Sequence, residues 1–388
     1  MAARRSKSEG LKAVKELHQD RSRRARELKG EGNKIMGYFC SYTPLEMITA
    51  AGLVPFRMMG DTKEPITVAD AYLDVTYCPY LRSVFNIAMK GKYDFLEGIV
   101  FPTPCDNLIN LFDSWQYNIK EPYYHVINIP RVLDQLSLQY FKEELVTFKK
   151  SLENLIGAEI TVDRLREAVQ LHNENRALMR EMYGLRKPDP PLISGTEVTQ
   201  LEVSLVNLPL KEANELVKGV IAEVKSRGQG PAKKSARLLV TGNEIDDSAI
   251  IELIEDCGAN VVGDDLCIGT RFFWHDVEMT EDPLDGLANH YLGDIRCPST
   301  YRPGGDGSRP EGLEFKFGHI KSLAQDCNAS GVVIYVIKYC DALEWDVPDL
   351  RDYLQDNGFP VLHMEHDYFT LALAPLRTRI EAFVEMVG

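Results

Sequence analysis

The sequence predicts an α/β protein with two parallel sheets joined by a helical portion, and two strands support this prediction. Val332 to Ile337 is a short, nearly unbroken β-branched run, typical of a strand buried on both faces, and Leu96 to Phe101 is a second apolar strand. Each is followed within a few residues by a Cys-Asp pair, Cys340-Asp341 and Cys105-Asp106. Ligands of open α/β sheets bind beyond the carboxyl ends of the strands, so these cysteines stand where chemistry is usually located.

The first third of the chain predicts a basic arm followed by an α/β domain. Residues 1–29 contain ten Lys and Arg against four Asp and Glu, and we expect them to form a polar helix. A solvated helix is the simpler interpretation, and a docking arm for an acidic partner subunit is the alternative. For the domain, residues 30–132, we expect strand–helix–strand over 37–60, a helix after Cys78-Pro79, the strand to Phe101 and a strand over 123–129. Thr43 is the expected cap of the first of these helices.

The remainder predicts a helical connector, residues 133–234, and a second α/β domain, residues 235–388. The connector has helical periodicity over four segments, 136–155, 162–183, 196–207 and 210–227, and then a Gly- and Lys-rich linker. Strands of the second domain are expected at 237–241, 260–262, 332–337 and 359–364, with helices at 245–257 and 376–387. Each change of periodicity is marked by Gly or Pro.

Composition excludes several classes of protein. The chain has 388 residues, of which 44% are hydrophobic and 26% charged, as in soluble globular proteins. A net charge of −14 argues against nonspecific binding to nucleic acid. There is no apolar run long enough to span a membrane and no apolar segment typical of a signal peptide, so we expect a cytoplasmic protein. Its eight cysteines are then expected to be thiols or metal ligands rather than disulfides.

Common catalytic motifs are absent from the sequence. It has no GxGxxG dinucleotide fingerprint, no GxxxxGK[ST] phosphate loop and no GxSxG nucleophile elbow. The chain itself is therefore not expected to hydrolyse ATP. It also lacks a CxxC pair, which makes a zinc ribbon an unsuitable explanation of the cysteines.

The cysteines and acids at strand ends are the candidate functional residues. Cys105, Cys267 and Cys340 follow strands, and Cys78 joins them because Pro79 comes directly after it. Thiolates are soft ligands that hold iron–sulfur clusters, so convergence of these side chains would suit a cluster. The alternative is that they are inert, buried thiols, which fits Cys257 best and also Cys40 and Cys327. The candidate catalytic side chains are those of Ser41, Asp265 and Glu365.

Six motifs, in this order, resemble the 2-hydroxyacyl-CoA dehydratase / benzoyl-CoA reductase family, and the resemblance covers residues 30–386. They are Gly-Tyr-Phe-Cys-Ser-Tyr-Thr-Pro-Leu-Glu (37–46) with Ala-Ala-Gly-Leu-Val-Pro (50–55), Tyr77-Cys78-Pro79, Thr103-Pro104-Cys105-Asp106, Gly-Asp-Asp-Leu-Cys-Ile-Gly-Thr-Arg (263–271), Lys-Tyr-Cys-Asp (338–341) and Leu-Arg-Thr-Arg-Ile-Glu-Ala-Phe (376–383).

The resemblance implies two Rossmann-like or flavodoxin-like domains and a 4Fe-4S cluster held by Cys78, Cys105 and Cys340. It also implies a homologous second subunit, so that a heterodimer binds a CoA thioester near the clusters. A separate ATP-hydrolysing iron–sulfur activator would supply a low-potential electron. The resulting ketyl radical loses a hydroxyl group or, in an aromatic thioester, becomes a dienoyl-CoA, as in anaerobic aromatic degradation.

Four interpretations within and beyond this family stay open. The first is the CoA-binding subunit of a benzoyl-CoA reductase, which the segments 241–247, 271–274 and 281–292 favour. The others are a subunit of an (R)-2-hydroxyacyl-CoA dehydratase, a double-cubane-cluster reductase with Cys267 and Cys297 as extra ligands, and an inactive scaffold. A substrate-activating dehydratase subunit would have a carboxylate after the Ala-Ala-Gly…Pro segment, where this chain has Phe56, Arg57 and Met58.

Overall fold

Two four-stranded parallel sheets form the protein, in a computed structural model that describes residues 9–304, 308–369 and 373–388. The first sheet has the order β2-β1-β3-β4 and the second the order β6-β5-β7-β8, so the two sheets repeat one topology. The strands are β1 Ile35–Tyr38, β2 Val54–Arg57, β3 Leu96–Pro102, β4 Tyr124–Ile127, β5 Ala236–Gly242, β6 Ala259–Asp265, β7 Gly331–Ile337 and β8 Val361–His366. The predicted α/β class with parallel sheets is confirmed.

Helices precede, cover and connect the sheets. Those before and around the first sheet are α1 Gly10–Gln19, α2 Arg23–Gly30, α3 Leu45–Ala50, α4 Pro79–Met89 and α5 Asp106–Asn118. Between the sheets in sequence lie α6 Gln135–Ile156, α7 Val162–Gly184, α8 Gly195–Leu205 and α9 Leu210–Ser226. Around the second sheet are α10 Ala249–Asp256, α11 Thr270–Phe273, α12 Pro283–Ala288, α13 Arg309–Asp326, α14 Asp341–Glu344, α15 Val347–Asp356 and α16 Ala374–Val387.

The strand order determines where a site can form. In an order of the type 2-1-3-4, the chain leaves β1 toward one edge and β3 toward the other, so a crevice opens between these two strands at their carboxyl ends. The corresponding strands of the second sheet are β5 and β7, which pair in parallel from Leu238↔Gly331 to Gly242↔Tyr335. Every residue of β5, β6 and β7 is buried, as expected for strands covered on both faces.

Several helix boundaries follow from capping residues that the sequence shows. The Thr161 hydroxyl accepts from the Arg164 amide at the start of α7. Ser194 and Glu197 form a capping box at α8. Gly157, in the left-handed region at φ 67°, ends α6.

Other boundaries were wrong because side-chain contacts across the molecule decide them. The expected single N-terminal helix is two helices, which break at Asp20 and Arg21, since Arg21 turns inward to donate to the carbonyl oxygens of Gly60 and Asp246. Thr43 does not cap α3; its hydroxyl donates to the Phe39 carbonyl, and Pro44 occupies the cap position. The helix expected from residue 245 begins at Ala249.

One apolar cluster spans both sheets, with Phe39, Phe101 and Trp115 on one side and Leu238, Val240 and Val333 on the other. The rings of Tyr80 and Tyr368 meet across this boundary, with centroids 5.9 Å apart. From residue 9 onward the basic arm also belongs to the body, because α1 packs on α8 and α9. Residues 1–8 of the predicted arm lie outside the described residues. Among the described helices, none has the length and apolar composition that crossing a membrane would require.

Candidate functional site

Three cysteines lie at equivalent places where a loop enters a helix. Cys105 and Cys340 each come three residues after a strand, β3 and β7, and directly precede α5 and α14. Cys78 directly precedes α4, with Pro79 in its first turn. We call Cys78, Cys105 and Cys340 the first triad. A loop–helix junction exposes unpaired backbone amides, and these favour negatively charged groups such as thiolates.

Asn107 joins the segments that contain the first triad. Its side-chain oxygen accepts from the Cys78 amide at 3.0 Å, and its side-chain nitrogen donates to the Tyr339 carbonyl at 3.2 Å. Asn107 itself is the second residue after Cys105. One side chain therefore connects all three segments, although Asn107 and Tyr339 are 232 residues apart in the sequence.

Burial and mutual proximity raise the pKa values of the thiols of the first triad. Burial, and then the neighbouring Cys340, raise the pKa of Cys78 to about 12. Burial raises the pKa of Cys105 well above its usual range, and Cys340, Cys40 and Cys78 add to this. Burial likewise raises the pKa of Cys340. These thiols are protonated in the free protein at neutral pH, so a metal that binds them must displace protons.

Three further cysteines lie near the first triad, and we call Cys40, Cys267 and Cys297 the second triad. Burial, and then Cys297, raise the pKa of Cys40 to about 12. Burial also raises the pKa of Cys267, whose neighbours include Cys297, Cys40 and Arg271; the Arg271 Nη1 lies 3.8 Å from the Cys267 Sγ. Cys297 also contributes to raising the pKa of Cys340, so the second triad lies near the first.

Cys40 of the second triad was predicted to be an inert packing thiol, and it packs against two apolar clusters. It also lies two residues beyond β1, beside the strand that leads to Cys105. The sequence already shows that Cys40 follows a strand, as Cys105 and Cys340 do. Without the strand order, however, nothing showed that β1 is adjacent to β3.

Unusual backbone conformation coincides with this crevice. Cys40 has φ 59° and Tyr339, which precedes Cys340, has φ 63°; both lie in the left-handed region that side-chain-bearing residues rarely adopt. Such conformations persist only where surrounding contacts hold them, and they concentrate at functional sites.

A buried ion pair bridges the two sheets next to the cysteines. The Arg57 guanidinium, at the end of β2, donates to the Glu244 carboxylate, which follows β5, at 2.7 Å. Arg57 Nε and Nη1 and Glu244 Oε1 are buried and have no hydrogen-bond partner among the residues that the structure describes. Glu244 is also among the groups that raise the pKa of Cys40, Cys78 and Cys267. Arg57 therefore binds the carboxylate of Glu244, which comes from the second sheet. The segment after Pro55, to which Arg57 belongs, has no carboxylate of its own at residues 56–58.

The three candidate catalytic side chains have different environments. The Ser41 hydroxyl donates to the Cys267 carbonyl at 2.8 Å, which fixes it in the crevice. Asp265, the last residue of β6, is buried against Arg271 and Thr241; despite its burial, Arg271 and His319 keep its pKa below the usual range. Glu365 lies within β8 rather than at its end, and its side chain is exposed. Of the three, Ser41 has the most direct contact with a cysteine segment.

The other two cysteines lie outside the crevice. The Cys257 thiol is at the end of α10, where it donates to the Arg377 carbonyl at 3.9 Å. Cys327 is buried at the end of α13 and packs on Gly263.

The thiols of the two triads are donors of the kind that hold an iron–sulfur cluster. Within the described residues, no three His, Cys, Asp or Glu side chains are close enough together to hold one metal ion. An iron–sulfur cubane separates its ligands further than an ion does and takes thiolates, which are the donors that converge here. Cys78, Cys105 and Cys340 are the candidate ligands of such a cluster, and Cys40, Cys267 and Cys297 lie near them.

Comparison with known proteins identifies the family. The family model for the 2-hydroxyglutaryl-CoA dehydratase D-component matches residues 40–387. The chain belongs to this family. A benzoyl-CoA reductase subunit of Thauera aromatica is 28% identical to it over 361 residues, 91% of each chain. The (R)-phenyllactyl-CoA dehydratase beta subunit of Clostridium sporogenes is 25% identical, over 93% of each chain.

Another relative, the beta subunit of (R)-2-hydroxyglutaryl-CoA dehydratase of Acidaminococcus fermentans, is 25% identical over 92% of this chain and 93% of its own. These relatives are named as subunits, so a member of the 2-hydroxyglutaryl-CoA dehydratase D-component family is part of a multisubunit enzyme. Membership implies an iron–sulfur cluster and an acyl-CoA substrate, which agrees with the thiols in the crevice.

Proposed function

We propose that this chain is the iron–sulfur subunit of a low-potential enzyme of the benzoyl-CoA reductase type, acting on acyl-CoA thioesters. The observation that supports this most is the convergence of Cys78, Cys105 and Cys340, from three separate segments, on one crevice. The presence of Arg57 rather than a carboxylate after the Ala-Ala-Gly-Leu-Val-Pro segment favours the reductase over the substrate-activating dehydratase subunit.

In this proposal the fold supplies ligands, shielding and charge. A bound cluster would supply one-electron transfer at low potential. The backbone amides at the starts of α4 and α5 and the Asn107 side chain orient the first triad, and the apolar cluster around Phe39 and Phe101 excludes water from its base. The chain has no phosphate loop, so a separate ATP-hydrolysing activator would deliver the electrons.

A homologous second subunit would cover the open side of the site. Exposed apolar side chains occur on each segment of the first triad: Val75 before Cys78, Ile109 after Cys105, and Tyr339 and Trp345 on either side of Cys340. Solvated apolar groups around a redox site are typical of a surface that a partner buries. We expect a heterodimer that buries roughly 2,000 Å² or more, as obligate interfaces do.

A double-cubane-cluster reductase is the second candidate, and the second triad favours it. Six of the chain's eight cysteines lie near one another, and each triad offers three thiols. Cys40 completes the set for which the sequence had suggested only Cys267 and Cys297. A single cluster with three thiolate ligands leaves the second triad without a role.

Iron analysis of cysteine variants tests both candidates. The chain, purified under anaerobic conditions or reconstituted, should contain about four irons with one cubane and about eight with two. Replacing any one of Cys78, Cys105 or Cys340 by Ala should remove most of the iron of that cluster and its EPR signal. Cys257→Ala is the matched control, because it removes a thiol outside the crevice, and it should retain the full iron content.

The second triad separates the two candidates. With a single cluster, Cys40→Ala, Cys267→Ala and Cys297→Ala keep about four irons; with a double cluster, each of them loses iron as the first-triad variants do. If all three first-triad variants keep the iron of the parent protein, this site does not hold the cluster and both candidates are wrong.

A further inference from the structure

One buried asparagine, Asn243, contacts segments that belong to both triads. It directly follows β5, an inner strand of the second sheet. Its backbone carbonyl accepts from the Cys267 amide at 3.3 Å. Its side-chain oxygen accepts from the Ile337 amide at 3.1 Å, three residues before Cys340. Since Cys267 belongs to the second triad and Cys340 to the first, Asn243 connects the two.

The contact with Ile337 continues the pairing of β5 and β7 beyond the last backbone pair. That pair is Gly242↔Tyr335, and a side chain at residue 242 would clash with the Tyr335 carbonyl oxygen, so the strands approach closely here because residue 242 is glycine. The Asn243 oxygen then accepts from Ile337, the last residue of β7, whose own carbonyl accepts from the Cys340 amide at 3.2 Å. Asn243 thus fixes the place where β7 ends and the turn to Cys340 begins.

The other end of the Asn243 amide faces the sulfur of Cys340. The Ile337 amide can only donate, so it requires the side-chain oxygen and leaves the side-chain nitrogen for another partner. Burial raises the pKa of Cys340, and a hydrogen bond with the Asn243 side chain opposes this rise. A hydrogen bond that favours the thiolate is one donated to the sulfur, and the side-chain nitrogen is the end of the amide that can donate.

The backbone on both sides of Asn243 is held by buried arginines. The Gly242 carbonyl accepts from Arg271 at 2.7 Å, and the Glu244 carboxylate accepts from Arg57 at 2.7 Å. A side chain that extends from a fixed backbone needs little further ordering to keep its contacts. The Asn243 amide is therefore in place before any cluster binds.

We propose that Asn243 is a positioning residue of the cluster site: its side-chain oxygen fixes the turn that leads to Cys340, and its side-chain nitrogen donates to the Cys340 sulfur. The proposal rests on the proposed function, and it applies to one cluster or two, because Cys340 is a ligand in both candidates. A reduced cluster carries more negative charge than an oxidised one. An N–H donor to a ligand sulfur therefore favours the reduced state and raises the reduction potential.

Two variants separate the two ends of the side chain. Asn243→Asp and Asn243→Ala both lack the N–H donor, but aspartate keeps an oxygen for the Ile337 amide. In an EPR redox titration of the iron-loaded chain, both should have a lower potential than the parent. For Asn243→Asp, which also adds a negative charge, the ratio of reduced to oxidised cluster at a fixed potential should fall by roughly tenfold, or about 59 mV.

Hydrogen exchange of the iron-free chain tests the oxygen end. The exchange is followed by mass spectrometry on the peptide that spans residues 331–340. Loss of the acceptor in Asn243→Ala should make the Ile337 amide exchange roughly tenfold faster or more, whereas Asn243→Asp should protect it as the parent does.

Asn260→Asp is the matched control. Asn260 is a buried asparagine of β6, whose side-chain oxygen likewise accepts from a backbone amide, that of Lys234, at 2.9 Å. It pairs with Arg237 near the start of β5, at the opposite end of the sheet from Asn243. Asn260→Asp should keep the iron content, the potential and the Ile337 exchange of the parent. If Asn243→Asp or Asn243→Ala fails to load iron while Asn260→Asp loads normally, that too supports the positioning role.

The contrary results are equally definite. Iron-loaded Asn243→Asp and Asn243→Ala with the potential of the parent would overturn the donor role, and parent-like exchange of Ile337 in Asn243→Ala would overturn the positioning role. Iron uptake by the parent keeps these results separate from the test of the proposed function. A parent chain without iron contradicts the proposed function and the donor role with it, whereas iron-loaded variants with unchanged potentials contradict the role of Asn243 alone.

Discussion

At the scale of single residues, Asn107 has an orientation that its two partners determine. The Cys78 amide can only donate, so it requires the side-chain oxygen, and the Tyr339 carbonyl can only accept, so it requires the nitrogen. Rotating the amide by half a turn would break both hydrogen bonds. The side chain therefore acts as a positioning residue for the first triad, because it fixes the distances among three segments that the sequence separates.

We expect Asn107→Asp to weaken iron binding without unfolding the chain. Aspartate has the same shape and still accepts from the Cys78 amide, but it cannot donate to the Tyr339 carbonyl and places a negative charge beside the thiolates. Loss of such supporting contacts typically costs roughly 10-fold to 100-fold in metal affinity. The measurement is the rate of iron loss to a chelator, together with the reduction potential from an EPR titration.

Asn118→Asp is a suitable control for this variant. Asn118 lies at the other end of the same helix, α5, where its side chain donates to the Ser114 carbonyl. If Asn107→Asp releases iron no faster than Asn118→Asp and keeps the same potential, the contact has no positioning role.

Residue patterns in the sequence predicted part of this site and could not predict the rest. The position of Cys105 and Cys340 beyond the carboxyl ends of buried strands followed from β-branched runs, and the structure has them there. That they bind iron remains a prediction. The Asn107 contact and the inclusion of Cys40 depend on which strands are neighbours, and local sequence contains no record of that.

At the scale of elements, strands with unbroken apolar runs were predicted to within a residue or two, as β3 and β7 show. The predicted first residues of helices were less accurate wherever polar residues turn toward another element. Residues 245–248 were expected to belong to α10, but Asp246 instead accepts from the Gly60 amide and the Tyr368 hydroxyl. Helical propensity is weak compared with buried charge-assisted hydrogen bonds, so tertiary contacts moved the boundary.

The packing of α7 on α3 makes the stability of the chain depend on pH. His172 of α7 is buried, and its ring nitrogen lies 3.0 Å from the Thr49 hydroxyl of α3. Burial, opposed by Glu46 and assisted by Arg176 and His290, lowers the pKa of His172 to about 4 from its ordinary value of 6.5. Between pH 6.5 and 4, His172 is therefore protonated in the unfolded chain but remains neutral in the folded chain.

We expect stability from this residue to be complete above pH 6.5 and to be lost as the pH falls toward 4, by up to about 3 kcal/mol. His172→Gln keeps a polar group for Thr49 but cannot titrate, so its urea midpoint should fall less steeply over this interval than that of the parent chain. Gln170→Ala, at an exposed position on the same helix, should keep the parent slope. Equal slopes for His172→Gln and the parent would contradict this assignment.

At the scale of the whole molecule, neither half of the chain contains a complete triad. Cys78 and Cys105 belong to the first-sheet half and Cys340 to the second; Cys40 belongs to the first and Cys267 and Cys297 to the second. The Arg57–Glu244 pair, the Asp246 contacts and the shared apolar cluster hold the halves together. Each triad can therefore form only when the two sheets are correctly placed relative to each other. For this reason the spacing of the motifs in the sequence could not define the site.

The exposed apolar side chains around the first triad lead to a prediction about assembly. Trp345 is 83% exposed five residues after Cys340, and Val75 on the Cys78 segment is 61% exposed. Aromatic side chains at the centre of an interface contribute most of its free energy, commonly about 2 kcal/mol or more each, or roughly thirtyfold in affinity. We expect Trp345→Asp to weaken association with a co-expressed homologous subunit by at least that factor, because it replaces the largest exposed ring with a charge.

Sedimentation of the co-expressed pair measures this effect, and Met386→Asp is its control. Met386 is 65% exposed on α16, the terminal helix, away from the segments of the first triad. Its replacement adds the same charge but should leave the heterodimer intact. Iron content of Trp345→Asp should match that of the parent chain, since the substitution removes no ligand. A Trp345→Asp chain that assembles as tightly as Met386→Asp would show that the partner binds elsewhere and that the exposed ring serves another contact, such as docking of the activator.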